Sequence, residues 1–378
     1  MTGSLGGIRV LDVTTSVAGP FAALILGDLG ADVLKVERRG SGDDTRRWGP
    51  PFWAGESPHF TALNRNKRSV ALNLKDPADA ETFGKLVDTA DVLVQNLRPG
   101  ALARNGFGPE EALRRNPRLI YCEMTGYGSG GPLADLPAYD PLMQAFSGLM
   151  AITGEDGGPP ARIPVSILDQ GTGMWAAIAV LDALRERDRT GSGTHLEVSL
   201  LGTALMWQPA QLGNYFANGT VPGRLGSGTI GIYPYAAFPT ADGWVVISAG
   251  NQSLWLALCE LLARPDLVTD PRFAENPDRV AHRDELFAEL SKSLAERGTA
   301  AWVEALQAVG VPCAPIQTLD QVVAHEQVRG MGAIGAVAHP RIPDFRTVRL
   351  PLRNGGEYPA LRRPAPLLDE HAPEWLDE

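Results

Sequence analysis

The sequence predicts an α/β protein built on an open, mostly parallel sheet, and three observations carry that prediction. Short apolar runs of strand length alternate with stretches of helical length through the first third of the chain. Proline and glycine fall at the starts and ends of the helical stretches, where they open and close helices. The alternation is regular enough to read as successive βαβ units, each a parallel crossover, which cover both faces of a sheet with helices. A smaller α+β domain follows, announced by a change of composition past residue 218.

Residues 8–13 (IRVLDV) read as the first strand. Residues 18–30 (AGPFAALILGDLG) read as a helix, with Pro20 near its start and Gly30 at its end. Residues 31–37 (ADVLKVE) return as a second strand. The pattern repeats with a strand at 69–74, a helix at 79–89, a strand at 91–96, a helix at 109–115 and a strand at 118–124. In such sheets ligands sit beyond the carboxyl ends of the strands, so the loops at 14–20, 37–48, 96–100 and 125–132 are the places to look for a site. A long helix runs from Asp169 to about Arg187, and 194–200 (THLEVSL) returns as a strand. Residues 219–231 are glycine-rich and read as a flexible loop. Residues 235–248 then read as a hairpin turned at Ala241-Asp242-Gly243, with helical stretches near 252–263, 280–296 and 299–309. The expected division is a large domain over 1–205 plus 330–378, a small α+β domain over 225–325, and linkers at 206–224 and 326–340. The tail from about 340 holds several prolines and little periodicity, and is expected to wrap over another surface.

The 378 residues, 44% hydrophobic and 21% charged, have the make-up of a globular protein with a sizeable core. A net charge of −10 argues against a general binder of nucleic acid or membrane surfaces. No apolar run is long enough for a membrane span, and the N-terminal residues lack the basic and apolar segments of a signal peptide. Three widely spaced cysteines make neither a disulfide framework nor a zinc site of ordinary spacing, so a cytoplasmic setting is expected. The six histidines are scattered, and no metal site is expected. His195 reads as structural. The acidity is not uniform. Between Arg38 and Lys75 eight lysines and arginines stand against three acids, a local excess suited either to a small anionic ligand or to a solvated, ion-paired face.

Two segments match G-x-G-x-x-G, at Gly126–Gly131 and Gly226–Gly231. The first follows a strand but runs into Pro132 and no helix; the second follows no strand. Neither has the context of a dinucleotide fingerprint. No G-x-S-x-G or H-E-x-x-H pattern occurs. Asp169 stands out instead. It sits at the start of an apolar helix whose stretch from Met174 to Leu181 offers no polar face, so nearly all of that helix is expected to be buried. Unpaired amides and the positive end of the helix dipole would keep the carboxylate ionised. Such a group is either a nucleophile or simply a helix cap. Trp48 and Tyr139, in loops at strand carboxyl ends, could each wall a pocket or fill a core.

Five segments taken together carry a resemblance over essentially the whole chain: GIRVLDV…AGPFAALILGDLGADVLKVE, ERRGSGDDTR, NRNKRSVALNLK, QNLRPGALARNGFG, and SILDQGTGMWAAIAVLDAL with RTGSGTHLEVSL. The chain resembles the family III CoA-transferases, the group of formyl-CoA transferase and carnitine CoA-transferase. The resemblance implies a Rossmann-like large domain, an interlocked homodimer and no permanently bound cofactor, with coenzyme A and acyl-CoA as substrates. It implies that Asp169 is the nucleophile, carrying CoA as an aspartyl thioester between an acyl-CoA and a small carboxylic acid, with helix-start amides meeting the oxyanion. Arg38, Leu72, Lys75, Asn96, Arg98, Arg104 and Ala18 match positions that hold CoA. Val17, Trp48, Tyr139 and Gly228 match positions of the acyl pocket, Gly228 within a loop that acts as a lid in formyl-CoA transferase. Val17 stands where formyl-CoA transferase has glutamine, and the 226–231 loop is not a run of glycines, so formyl or oxalate chemistry is in doubt. The alternative within the fold is a 2-methylacyl-CoA racemase. It is disfavoured because Tyr139-Asp140 stands where racemases carry histidine-aspartate, and a phenol is a poor proton acceptor at neutral pH.

Overall fold

The computed structural model describes residues 3–371 and divides into two compact units. The first holds the described residues up to 149, then 163–217, and those from 327 on; the second holds 150–162 and 218–326. Residues 150–162 thus fall with the second unit, whereas the sequence reading kept them in the larger domain. Much of the segment read as a linker is a helix of the first unit.

The first unit is built on six parallel strands: β1 (Arg9–Asp12), β2 (Asp32–Arg38), β3 (Lys67–Leu72), β4 (Val92–Gln95), β5 (Ile120–Thr125) and β6 (Thr194–Ser199). Their order is β3-β2-β1-β4-β5-β6, and every pairing is parallel. The helices are α1 (Ala18–Asp28), α2 (Pro58–Leu63), α3 (Pro77–Thr89), α4 (Pro109–Arg115), α5 (Asp140–Phe146), a single turn α6 (Leu149–Ile152) that runs into the second unit, α7 (Ile167–Thr190), α8 (Leu200–Met206) and α9 (Pro209–Asn218). On one face of the sheet, α1 and α7 bury Leu24, Leu26, Ala176 and Val180 against Val10, Val94 and Ile120. On the other, α3 buries Phe83, Leu86 and Val87 against Leu11, Leu34 and Leu93. Strands covered on both faces are mostly apolar, which is why they read as short runs.

β3 begins two residues earlier than predicted. Lys67 and Arg68 open the strand, and both are buried. Lys67 donates to Asp12, Asn64 and the Pro20 carbonyl, and Arg68 pairs with Asp32. The tail does wrap over another surface. Ala71 donates from its backbone to Asp369, and Asn66 accepts the amides of Arg362 and Arg363, so the tail occupies the free edge of β3. An edge covered in this way cannot pair with another chain. A two-stranded ribbon, β10 (Ile334–Ala336) with β11 (Arg346–Val348), also lies in this unit.

The second unit carries the antiparallel sheet β7 (Tyr235–Pro239), β8 (Trp244–Ser248), β9 (Cys313–Pro315). Helices α10 (Gln252–Leu261), α11 (Pro265–Thr269), α12 (Asn276–Ala281), α13 (Arg283–Leu294), α14 (Thr299–Ala308) and α15 (Leu319–Ala324) complete it. Its core centres on Trp255, Phe238, Phe273 and Leu290. The helix read over 280–296 is α13, and a separate short helix, α12, precedes it, opened by a capping box of Glu275 and Asp278. No helix among the described residues is long and apolar enough to cross a membrane.

Candidate active site

The sheet order turns back between β1 and β4, the point at which open α/β sheets leave a crevice beyond their carboxyl ends. The loop leaving β1 is held there from three sides. Thr14 donates from its amide to Asp12 at 3.0 Å. Thr15 is clamped by Asn96, just past β4: its amide donates to Oδ1 at 2.9 Å and its carbonyl accepts from Nδ2 at 2.8 Å. Ser16 adopts a left-handed φ of 67°, and its amide donates to Asp43 at 3.2 Å. A non-glycine residue keeps that conformation only where its surroundings insist on it. The loop then delivers Val17 and Ala18, both buried, to the start of α1, which has no side-chain cap.

Beneath this loop lies a fully buried ionic network. Lys35 donates to the Thr14 carbonyl at 2.8 Å and stands 3.0 Å from Asp43; Lys67 reaches Asp12 at 2.9 Å. Burial pushes the Asp12 carboxyl up, but Lys35, Lys67 and Thr14 outweigh it and hold it below the ordinary value. Burial pulls Lys67 down to about 8, Asp12 offsetting part of that. Arg46 reaches Glu37 at 2.6 Å and Arg65 reaches Asp28 at 2.6 Å. Much of the basic excess between Arg38 and Lys75 is therefore spent inside the fold, and only its outer members face solvent.

The candidate phosphate-binding cations lie around the same strand ends. Arg38 and Leu72 are register partners at the carboxyl ends of β2 and β3. Arg38 is ion-paired to Asp44, and Leu72 is buried. Lys75, Arg98 and Arg104 are exposed on the loops after β3 and β4, and Lys75 and Arg98 have no ion-pair partner among the described residues. Asn96 is committed to the Thr15 backbone, so its carboxamide acts first as a clamp. Trp48 is partly exposed and stands edge-on to His59, with ring centroids 5.7 Å apart. Gly228 belongs to the second unit, where its amide closes a turn on the Leu225 carbonyl at 2.8 Å.

Asp169 is the third residue of α7 and remains partly exposed. The glycines that follow it explain how α7 reaches this place. A Cβ on Gly173, one turn further along the same face, would lie 2.6 Å from the Ala18 carbonyl oxygen; one on Gly171 would lie 2.3 Å from the Trp207 ring. The two glycines let α7 pass closely between the start of α1 and α8, and Thr172 meets Thr203 at 2.9 Å in the same seam. Gly173, one turn after Asp169, is thereby packed against Ala18 at the start of α1.

Two expectations about Asp169 are corrected. It is not the cap of its helix. Ser166 holds the cap position without a side-chain bond, and Asp140 caps from another helix, accepting from the amides of Leu168 at 2.8 Å and Asp169 at 3.4 Å. Nor does the helix dipole keep the carboxyl in the ordinary acidic range: burial first, and then the neighbouring Asp140 charge, push it up to about 7. The first-turn amides are also taken, Ile167 by Val165, Leu168 and Asp169 by Asp140, and Gln170 by Ser166, so they are not idle donors for an oxyanion. Burial of the whole helix is likewise corrected: Met174 and Ile178 are half-exposed. Sequence reasoning paired Tyr139 with Asp140 only to weigh a racemase, and passed over Asp140 and Gln144 as residues of this site. An Asp-Pro pair followed by Gln four residues after the Asp was the available signal.

The cysteines are inert by environment. Cys122 and Cys259 are buried, and burial pushes both thiols up to about 12. His195 lies within β6, 3.4 Å from Glu123, and Glu197 completes a trio whose ligand atoms lie within 4.8 Å of one another. The histidine spacing gave no hint of this trio, which adjacent strands bring together.

Known proteins share this fold over nearly the whole chain. The family model for CoA-transferase family III matches residues 5–372. A succinyl-CoA:glutarate CoA-transferase of Mus musculus is 40% identical over 99% of this chain and 86% of its own length. An acetyl-CoA:oxalate CoA-transferase of Acetobacter aceti is 40% identical over 97% of this chain and 94% of its own. The crystal structure of a CAIB/BAIF family protein from Brucella suis superposes with a TM-score of 0.88 at 35% identity, over 98% of each chain. The chain belongs to the family III CoA-transferases. It is an acyl-CoA:carboxylate CoA-transferase by the activity its relatives share.

Proposed function

We propose that the protein moves CoA from an acyl-CoA to a free carboxylic acid through a covalent thioester on Asp169. The observation that carries this reading is a carboxylate in the first turn of α7, partly exposed, held by close packing of α7 against the start of α1. One Asp169 oxygen attacks the donor's thioester carbonyl, the C–S bond breaks and the CoA thiolate leaves, giving a mixed anhydride. The thiolate then attacks the aspartyl carbonyl and expels the donor acid as its carboxylate, giving the aspartyl-CoA thioester. The acceptor carboxylate attacks that thioester, and the same steps in reverse regenerate Asp169. No proton is consumed overall. Arg98, Lys75 and Arg104, with Arg38, are suited to the phosphates of CoA, and Ala18 at the uncapped start of α1 offers backbone dipoles to an anion. Val17, Trp48 and Tyr139 would face the acyl group; the assignment of Gly228 to that pocket rests on the resemblance alone. The relatives above pair succinyl-CoA with glutarate and acetyl-CoA with oxalate, so a small dicarboxylic acid is the first acceptor class to try.

Two copies of the chain are expected to associate. Met174 and Ile178 on α7, Met206 on α8 and Phe216 on α9 leave apolar side chains exposed, Phe216 at 75%, and exposed apolar side chains that join into one patch mark an interaction site. A cytoplasmic setting suits the three free thiols.

The test is intact-protein mass after incubation with succinyl-CoA or acetyl-CoA, wild type beside Asp169→Ala. The wild type should gain the mass of CoA less water, and Asp169→Ala should gain nothing and lose turnover. Turnover retained by Asp169→Ala would refute the nucleophile.

A further inference from the structure

The chain enters α7 through residues held by α5, and the holding groups are buried. Asp140, in the first turn of α5, is 1% exposed, and Gln144, one turn later, is fully buried. Both Asp140 oxygens accept hydrogen bonds: Oδ1 from Gln144 Nε2 at 2.6 Å, and Oδ2 from the amides of Leu168 and Asp169. Accepting on both oxygens is the pattern of an ionised carboxylate. Gln144 in turn holds Ile163 at both backbone groups, accepting from its amide at 2.9 Å and donating to its carbonyl at 3.2 Å. One face of a two-turn helix thus fixes the chain on both sides of the cap position of α7, and the last amide it fixes is that of Asp169.

We propose that Asp140, supported by Gln144, is the positioning residue of the reaction: it sets where the Asp169 carboxylate stands and places a fixed negative charge beside it. This rests on Asp169 being the nucleophile. The arrangement has two opposed effects. The backbone clamp removes freedom from the nucleophile, which favours attack on a bound thioester. The neighbouring charge disfavours the ionised, attacking form of Asp169 and makes that form more basic when it exists. The other elements packed against this end of α7 bring no competing charge at the described contacts: α8 presents Thr203 and Trp207 at Gly171, and α1 presents Ala18, Phe21 and Ala22 at Gly173. Asp140 is the charged group that stands beside Asp169.

The experiment is the single-turnover rate of CoA adduct formation from succinyl-CoA, followed by intact mass between pH 5 and 9. It compares wild type, Asp140→Asn, Asp140→Ala and Asp169→Ala, with a circular dichroism melt on each. Wild type should show an acidic limb that rises through about pH 7 to a plateau. Asp140→Asn keeps an oxygen for the two amides but gives up the acceptor for Gln144 Nε2 and loses the charge, so its limb should move down by about one pH unit, with a plateau between those of wild type and Asp140→Ala. Asp140→Ala loses the clamp as well, and its plateau should fall on the order of a hundredfold. If Asp140→Ala does not fold, the limb of Asp140→Asn decides. An Asp140→Asn limb superimposed on wild type, or an Asp140→Ala plateau equal to wild type, would overturn the positioning role while the adduct itself still forms on Asp169. Absence of adduct on wild type, or its presence on Asp169→Ala, would instead overturn the nucleophile reading.

Discussion

At the scale of single residues, Asp169 should reveal itself in stability as well as in chemistry. Its folded carboxyl, near 7, lies above the ordinary value of 3.8. The native state therefore holds the extra proton between those values. The stability this contributes is complete below pH 3.8 and is lost as pH rises through 7. Asp169→Asn escapes that loss, so it should melt at a higher temperature than wild type at pH 8, with the gap closing toward pH 4. A differential scanning calorimetry series in pH checks this, and equal melting temperatures at pH 8 would argue that the carboxyl is not under strain. Arg98, exposed and without an ion-pair partner among the described residues, should contribute uniform binding. Arg98→Ala should raise KM for acyl-CoA roughly tenfold with little change in kcat; an unchanged KM would return this arginine to the solvated surface. Asp169 itself was legible in sequence through its place before a long apolar helix. Its ionisation was not, because Asp140 lies 29 positions away along the chain.

At the scale of elements, the seam between α1 and α7 positions the site. Gly173→Ala puts a methyl group 2.6 Å from the Ala18 carbonyl oxygen, a backbone atom that cannot swing aside. The two helices must separate, at a cost of about 1–3 kcal/mol, and adduct formation on Asp169 should slow by more than the change in stability accounts for. Denaturant melts beside single-turnover rates would distinguish this from simple loss of fold, and wild-type values in both would show that the seam has slack. The six parallel strands, the β7–β8 hairpin and the longer helices were read from the sequence within a few residues, since each is an apolar run or a helical stretch closed by Gly or Pro, whereas β9, β10 and β11, three residues each, were not. The short helices α2, α5, α8 and α9 were not. Each holds at most about three turns, and the partners they pack on lie elsewhere in the chain. α5, which carries the proposed clamp, is among them.

At the scale of the whole molecule, the exposed apolar residues of α7, α8 and α9 set the expected assembly. Light scattering should give twice the 40.4 kDa chain mass, and Met206→Glu should shift the distribution toward single chains by placing a charge on a surface that water would otherwise be excluded from. A wild type that runs as one chain at micromolar concentration would refute self-association. The same residues show how far pattern reading carries. An uninterrupted apolar stretch from Met174 to Leu181 implies burial, but it does not say whether the covering surface belongs to the same chain.

The sequence by itself determined the class of fold, the run of βαβ units, the family and the identity of the candidate nucleophile. Each of these is written locally, in apolar periodicity, in helix-end residues or in short contiguous segments. Tertiary structure decided what surrounds that nucleophile: the Asp140–Gln144 clamp, the glycine seam, the buried Asp12–Lys67 and Lys35–Asp43 pairs, and the spending of much of the basic patch inside the fold. The physical reason is range. Burial and charge act through space across distances of a few ångströms, and several of the partners they join here, Asp12 with Lys67 and Asp140 with Leu168 and Asp169, lie tens of residues apart along the chain.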